Sequence, residues 1–305
     1  MSETEIRPVP QPPEVGTGLT IQAVSQLLDV PAPTIRSWER RYGVPPTSRS
    51  QGGHRRFFPD DLVMLRQMRD EIAKGHRAAE AAARVIRAQQ VESPHEQLID
   101  DFLHAAYRLD PRGADALLEH ARETLGVETA VTGVLLPAMR QVGVWWETGR
   151  CDVAHEHLAT EAARAWLNRL LYLGPTPWQS ETLILTCGPR DFHSLGLESM
   201  GVLLASRGYG CRVLGARTPV KSLAAAVQGT GAAGLVMVSH LSIGRRSAIE
   251  ALRSIQHSDA QLFYAGNAFV SPQSRKGVPG TYLGEDLLAA ANLITSSLAS
   301  ARGAP

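Results

Sequence analysis

The sequence predicts a multidomain α and α/β protein: an N-terminal winged helix-turn-helix, then a four-helix bundle, then a C-terminal doubly wound parallel sheet. Three observations predict it. Short helical patterns broken by Pro and Gly fill the chain to residue 90, longer helical periodicity runs in four segments to residue 173, and beyond GPTPWQSE short β-rich runs alternate with helical ones.

Residues 1–17 carry four prolines and little apolar content, and are expected to be a flexible tail. From Thr20, an N-cap candidate, Ile21, Val24, Leu27 and Leu28 give one short helix; after Val30-Pro31 a second runs from about Pro33 to Arg41 and ends at Tyr42-Gly43. TSRSQGGHRRFF has the glycines of a tight turn between two extended arms, and Pro59-Asp60-Asp61 starts a helix through LVMLRQMRDEIAKG. With the Ala-rich HRAAEAAARVIRAQQ these form a domain over 18–90, followed by a linker at VESPHEQ. Helical segments at about 95–109, 111–124, 127–146 and 152–173 make the bundle, 91–175. The last domain, 176–305, reads LILTCG, a helix at 195–207, CRVLGA, a helix at 220–228, GLVMVSH, a helix at 245–256, QLFYAG and a helix near 285–301, a flavodoxin-like succession.

A chain of 305 residues with 44% hydrophobic composition can bury two or three cores. It has no apolar run of the roughly 18 residues needed to cross a bilayer, and no charged n-region followed by an apolar h-region, so a cytoplasmic protein with no membrane partner is expected. Cys151, Cys187 and Cys211 lack CxxC spacing, which argues against a disulfide framework and reads as buried reduced thiols.

The net charge of +1 hides an asymmetry: residues 18–90 hold 12 basic and 7 acidic groups, residues 91–173 hold 7 and 13, and residues 174–305 hold 11 and 7. Within 36–56 there are six Arg and one Glu. A basic front followed by an acidic helical region places any nucleic-acid contact at the front. There, a helix bearing Arg36, Arg40 and Arg41 beside a loop bearing His54, Arg55 and Arg56 offers two cationic edges to adjacent stretches of duplex backbone; a solvated helix face is the plain alternative. Trp38 and Phe57 read as core, because so small a domain has few other large side chains.

T-I-x-x-V at 20–24, T-I-R-x-W-E-R-R-Y-G at 34–43 and G-G-H-R-R-F at 52–57 resemble the MerR family of winged-helix regulators. The resemblance implies binding of double-stranded operator DNA through Thr34, Arg36, Arg40, Arg41, Tyr42, His54, Arg55 and Arg56, by a homo-oligomer, dimer or tetramer. The long dimerisation coiled coil of many MerR proteins is not expected, since the helix is short and no sustained heptad follows.

Gly229-Thr-Gly231-Ala-Ala-Gly234 fits GxGxxG but precedes a strand, where a dinucleotide site needs it after one, so no such site is assigned. The stronger signal is Asp191-Phe-His193-Ser-Leu-Gly196, in the loop at the C-terminal end of the first strand, the usual ligand edge of such sheets. An exposed loop imidazole can ligate a metal, and an Asp two residues earlier can bond its second ring nitrogen and fix the tautomer; a polar loop His with no ligand is the plain alternative. D-x-H-x-x-G resembles the motif of cobalamin-binding domains such as that of methionine synthase, which implies that His193 takes the lower position on cobalt. Ser239 and Leu241 match that family's S-x-L element, which implies a pocket for the nucleotide tail, and Gly266 falls where the family has a Gly-Gly pair, here interrupted by Asn267.

Val142-Gly143-x-x-Trp146-x-x-Gly149 followed by Glu156-His157 resembles the helical cap of CarH/LitR-type regulators. The resemblance implies that Trp146 covers the upper face of adenosylcobalamin, with Glu156 and His157 around its 5′-deoxyadenosyl ligand; Trp146 as bundle core, and Cys151, His155 and His157 as a zinc set, are the competing readings. Some members carry a histidine directly after the Trp, where this chain has Glu147. Together the motifs imply a repressor whose assembly on DNA changes when light breaks the cobalt–carbon bond, with no catalysis. A regulator sensing cobalamin or redox state in the dark and a corrinoid methyl carrier remain alternatives; the helix-turn-helix front argues against the carrier.

Overall fold

The computed structural model describes residues 19–46, 56–90, 95–189 and 191–302. His54, Arg55 and the tail at 1–17 lie outside them.

Four helices open the described chain: α1 (Ile21–Leu28), α2 (Ala32–Tyr42), α3 (Pro59–Ala73) and α4 (Ala78–Gln90). The Thr20 hydroxyl accepts from the Ala23 N–H at 3.3 Å and starts α1, while Asp29, left-handed at φ 52°, ends it. Gly43 at φ 68° ends α2, a conformation glycine adopts at no steric cost. An antiparallel bridge joins Leu19 to Phe57. Val24, Ile35, Trp38, Phe57, Leu65 and Met68 are buried together.

The next helices are α5 (Glu96–Tyr107), α6 (Pro111–Leu125), the single turn α7 (Val127–Thr129), α8 (Leu136–Glu147) and α9 (Val153–Leu173). A π-helical stretch, Ala130–Leu135, joins α7 to α8. Pro137 follows it in the first turn of α8 and lacks the N–H that an unbroken α-helical ladder would return to Gly133, which gives the wider turn a local cause. Asp110 caps α6 through the Gly113 N–H at 2.9 Å, and Asp152 caps α9 through the N–H groups of Ala154 and His155. The Trp166 Nε1–H donates to Glu119 at 3.1 Å, tying α9 to α6.

Five parallel strands follow: β1 (Thr182–Cys187), β2 (Gly210–Gly215), β3 (Gly234–Val238), β4 (Gln261–Ala265) and β5 (Thr281–Tyr282), in the spatial order β2-β1-β3-β4-β5. Helices α10 (Leu195–Ser206), α11 (Val220–Thr230) and α12 (Arg245–Ile255) connect the first four strands, and α13 (Leu287–Arg302) follows β5. Helices lie on both faces, so β1 and β3 are buried almost throughout and read as unbroken apolar runs. One face packs on α11 and α12; the other packs on α10 and α13 and shares its core with α5 to α9, through Trp166, Leu167, Met200 and Leu203. The glycine run at 229–234 closes α11 and opens β3, with Gly231 left-handed at φ 58°. No helix among the described residues is long and apolar enough to cross a membrane.

Candidate functional site

Two surfaces carry the residues singled out by sequence. On α2, Arg36, Arg40 and Arg41 are exposed, and the i, i+4 spacing of Arg36 and Arg40 puts both on one face. Thr34, Tyr42 and Arg56 are half-buried, while Trp38 and Phe57 lie in the core.

The second surface lies at the C-terminal edge of the sheet, where β1 and β3 leave their strands side by side. Asp191 is fully buried there and is the hub of the site. Its Oδ1 accepts from His193 Nδ1 and from the His193 N–H, both at 2.9 Å, and its Oδ2 accepts from the His240 N–H at the end of β3. Burial opposes ionisation of Asp191, but these three bonds outweigh it and hold its carboxyl well below the usual carboxylate range. The same carboxylate raises the pKa of His193. Because Nδ1 is turned inward onto Asp191 while 62% of the side chain is exposed, Nε2 is the ring nitrogen left on the open side.

His240 lies edge-on to His193, with ring centroids 5.8 Å apart, and burial lowers its pKa. A neutral imidazole thus walls one side of the exposed one. Cys187, buried beneath the loop, has its thiol pushed up to about 12 by burial and is unreactive at neutral pH.

The first part of α9 lies within electrostatic reach of this loop. Glu156 adds to the negative potential that raises the pKa of His193, and its carboxylate accepts from the Thr160 hydroxyl at 2.9 Å. Deeper in, Arg164 of α9 donates to Glu198 of α10 at 3.1 Å, and Glu198 accepts from the Ser194 hydroxyl at 3.0 Å. His157 points to solvent, 73% exposed. Trp146 is 50% exposed at the end of α8, whereas its neighbour Trp145 is buried in the core under the Arg150 guanidinium, so of the two tryptophans Trp146 is the one free to cover a ligand.

The residues fit a large, flat, partly polar group bearing a metal. His193 offers one basic nitrogen. Ser239 is fully buried, and its hydroxyl has no hydrogen-bond partner. Gly196, in the first turn of α10, has open space where a side chain would stand. Gly266, at φ 103°, lets the end of β4 approach the end of β3 so closely that a Cβ would lie 2.3 Å from the Ser239 carbonyl oxygen. Leu241 is 41% exposed beside them.

Sequence reasoning missed His240, whose tie to Asp191 spans 49 residues, and the partner of Glu147. Glu147 pairs with Arg66 of α3.

Residues 19–85 match the MerR HTH family regulatory protein model, and residues 98–171 match the B12 binding domain model. The HTH-type transcriptional repressor CarA of Myxococcus xanthus is 34% identical over 215 residues, 69% of this chain and 71% of that protein. The HTH-type transcriptional repressor CarH of the same organism is 32% identical over 224 residues, 68% of this chain and 74% of that protein. Among solved structures, the Methanosarcina barkeri monomethylamine corrinoid protein superposes with a TM-score of 0.55 at 13% identity, over 67% of this chain and 99% of its own, a likeness of fold. A chain with a MerR module in front, a B12-binding module behind it and two repressors among its relatives is no enzyme: it belongs to the MerR-type transcriptional regulators that carry a B12-binding domain, the family of CarA and CarH.

Proposed function

We propose that this regulator is an adenosylcobalamin-dependent, light-responsive repressor of the CarH type, working in the cytoplasm as a dimer or tetramer on operator DNA. Its units are then a winged helix-turn-helix at 18–90, a four-helix cap at 91–175 and a cobalamin-binding α/β domain at 176–305. The observation that carries the reading is the Asp191–His193 pair at the sheet edge: a buried carboxylate holds Nδ1 and leaves Nε2 on the open side, within electrostatic reach of Glu156.

In this reading His193 holds cobalt from below, oriented by Asp191 and walled by His240. Ser239, Leu241 and Gly266 receive the nucleotide tail, and Gly196 leaves room for the ring at the start of α10. Trp146 excludes water from the upper face, with Glu156 and His157 beside the upper ligand. When bound, adenosylcobalamin supplies a cobalt–carbon bond that visible light can break. Thr34, Arg36, Arg40, Arg41, Tyr42, His54, Arg55 and Arg56 hold the DNA.

A second reading, a cobalamin sensor that works in the dark, is favoured by one observation. Glu147, where some relatives carry a histidine, is engaged by Arg66, so this chain has no imidazole at that position for the upper face after the alkyl group is lost. Adding adenosylcobalamin in the dark, removing the excess, and recording absorption spectra and operator affinity before and after green light separates the two. Retained cofactor with a light-dependent change in both supports the photoreceptor. Retained cofactor with no light response supports the dark sensor, and no retained cofactor refutes both.

A further inference from the structure

The helix α3 touches both halves of the sensor. Val144 of α8 is buried in the apolar core of the N-terminal helices, apart from the core that the rest of α8 helps to form. Three residues on, Glu147 pairs with Arg66 of α3. Lys74, which caps the far end of α3, pairs at 3.0 Å with Glu285, in the segment between β5 and α13 at the C-terminal edge of the sheet. At the helical rise, Arg66 and Lys74 stand about 12 Å apart. The middle of α3 therefore rests on α8 beside Trp146, and its C-terminal end rests on the edge of the sheet to which His193 belongs.

These contacts differ from ordinary surface pairs. The four side chains are only 25% to 33% exposed, which weakens screening by solvent. Burial and the neighbouring Arg69 lower the pKa of the Arg66 guanidinium, and Asp70 of the same helix opposes them. Lys74 also binds Glu71 of its own helix, which restricts its swing toward Glu285. Docking leaves the DNA face open, since Arg36, Arg40 and Arg41 of α2 remain exposed.

We propose that α3 is an interdomain strut, by which the sensor grips the back of the DNA-binding module through Val144, Arg66–Glu147 and Lys74–Glu285. A movement of α8 at Trp146 then turns the α2 reading face within a single chain, independently of how many chains assemble. The proposal rests on the reading of the His193 site as the cobalamin site for its signal, and on Val144 and the two ion pairs for its mechanics.

The test uses the full chain with spin labels at Arg87→Cys on α4 and Glu250→Cys on α12, both exposed positions, and follows their separation by pulsed electron resonance without ligand. Arg66→Glu and Lys74→Glu are each expected to broaden a narrow distance distribution, and the paired reversals Arg66→Glu with Glu147→Arg, and Lys74→Glu with Glu285→Lys, to narrow it again. With adenosylcobalamin in the dark, Arg66→Glu should retain the cofactor by absorbance yet lose most of an at least about fivefold cofactor-dependent change in operator affinity. An unchanged distribution in the folded single variants, or no recovery in either paired reversal, overturns the strut. Loss of cofactor by the parent chain would instead refute the cobalamin reading while leaving the ligand-free distances to judge the strut.

Discussion

At the scale of single residues, Asp191 does more than orient one ring. It binds the loop after β1 to the end of β3, so its removal should loosen both the His193 side and the Ser239 side of the cleft. We expect Asp191→Asn to weaken cobalamin binding by about 10- to 100-fold, the usual effect of losing a carboxylate behind a metal-binding imidazole, measured by absorbance titration. On the proposed ligation, His193→Ala should prevent formation of a histidine-ligated spectrum altogether. Gly266→Ala is predicted to lower the melting temperature by a cost of about 1–3 kcal/mol, because a side chain there needs an unfavourable φ and collides with the Ser239 carbonyl oxygen. The Asp191–His193 pair was legible in the sequence because its members are two residues apart at a strand end. His240 and the Arg66–Glu147 pair were not, because folding alone brings their partners together and neither leaves a local pattern.

At the scale of elements, the helices fall where apolar periodicity put them, with ends moved by a residue or two. The ends themselves follow local chemistry already written in the chain, such as Thr20, Asp110 and Asp152 as caps and Gly43 and Gly231 as stops. Two elements escaped. The two-residue strand β5 is too short for any alternation to register, and the π-helical turn before α8 has the same composition as the helix around it. Between α6 and α9, Glu119 accepts from Arg122 and from the Trp166 indole, and the Arg122 bond is the main cause of its lowered pKa. A lowered carboxyl contributes stability that is present above its unfolded value and is lost as pH falls through the folded one. Acid titration of the folded chain should therefore show a loss of stability below about pH 4 that is smaller in Glu119→Gln, followed by circular dichroism.

At the scale of the whole molecule, the charge asymmetry read from the sequence reappears as a division of surfaces. The exposed arginines of α2 face outward while acidic helices follow them in the chain, so operator binding should be strongly salt-dependent. Replacing Arg36 or Arg40 by Ala should reduce the slope of log affinity against log salt by about one for each phosphate left without its arginine, measured by fluorescence anisotropy. That helices come first and a parallel sheet last was legible from texture and punctuation; how the helices attach to one another and to the sheet was not, since it depends on which faces meet. Trp166, Leu167, Met200 and Leu203 belong to a single apolar core that runs from the helices α5 to α9 into one face of the sheet. The passage from helices to sheet near residue 175 therefore lies inside one cooperative unit: calorimetry should record one melting transition for residues 95–302, and cutting the chain at 175 should leave two fragments that neither fold nor take up ligand until they are mixed.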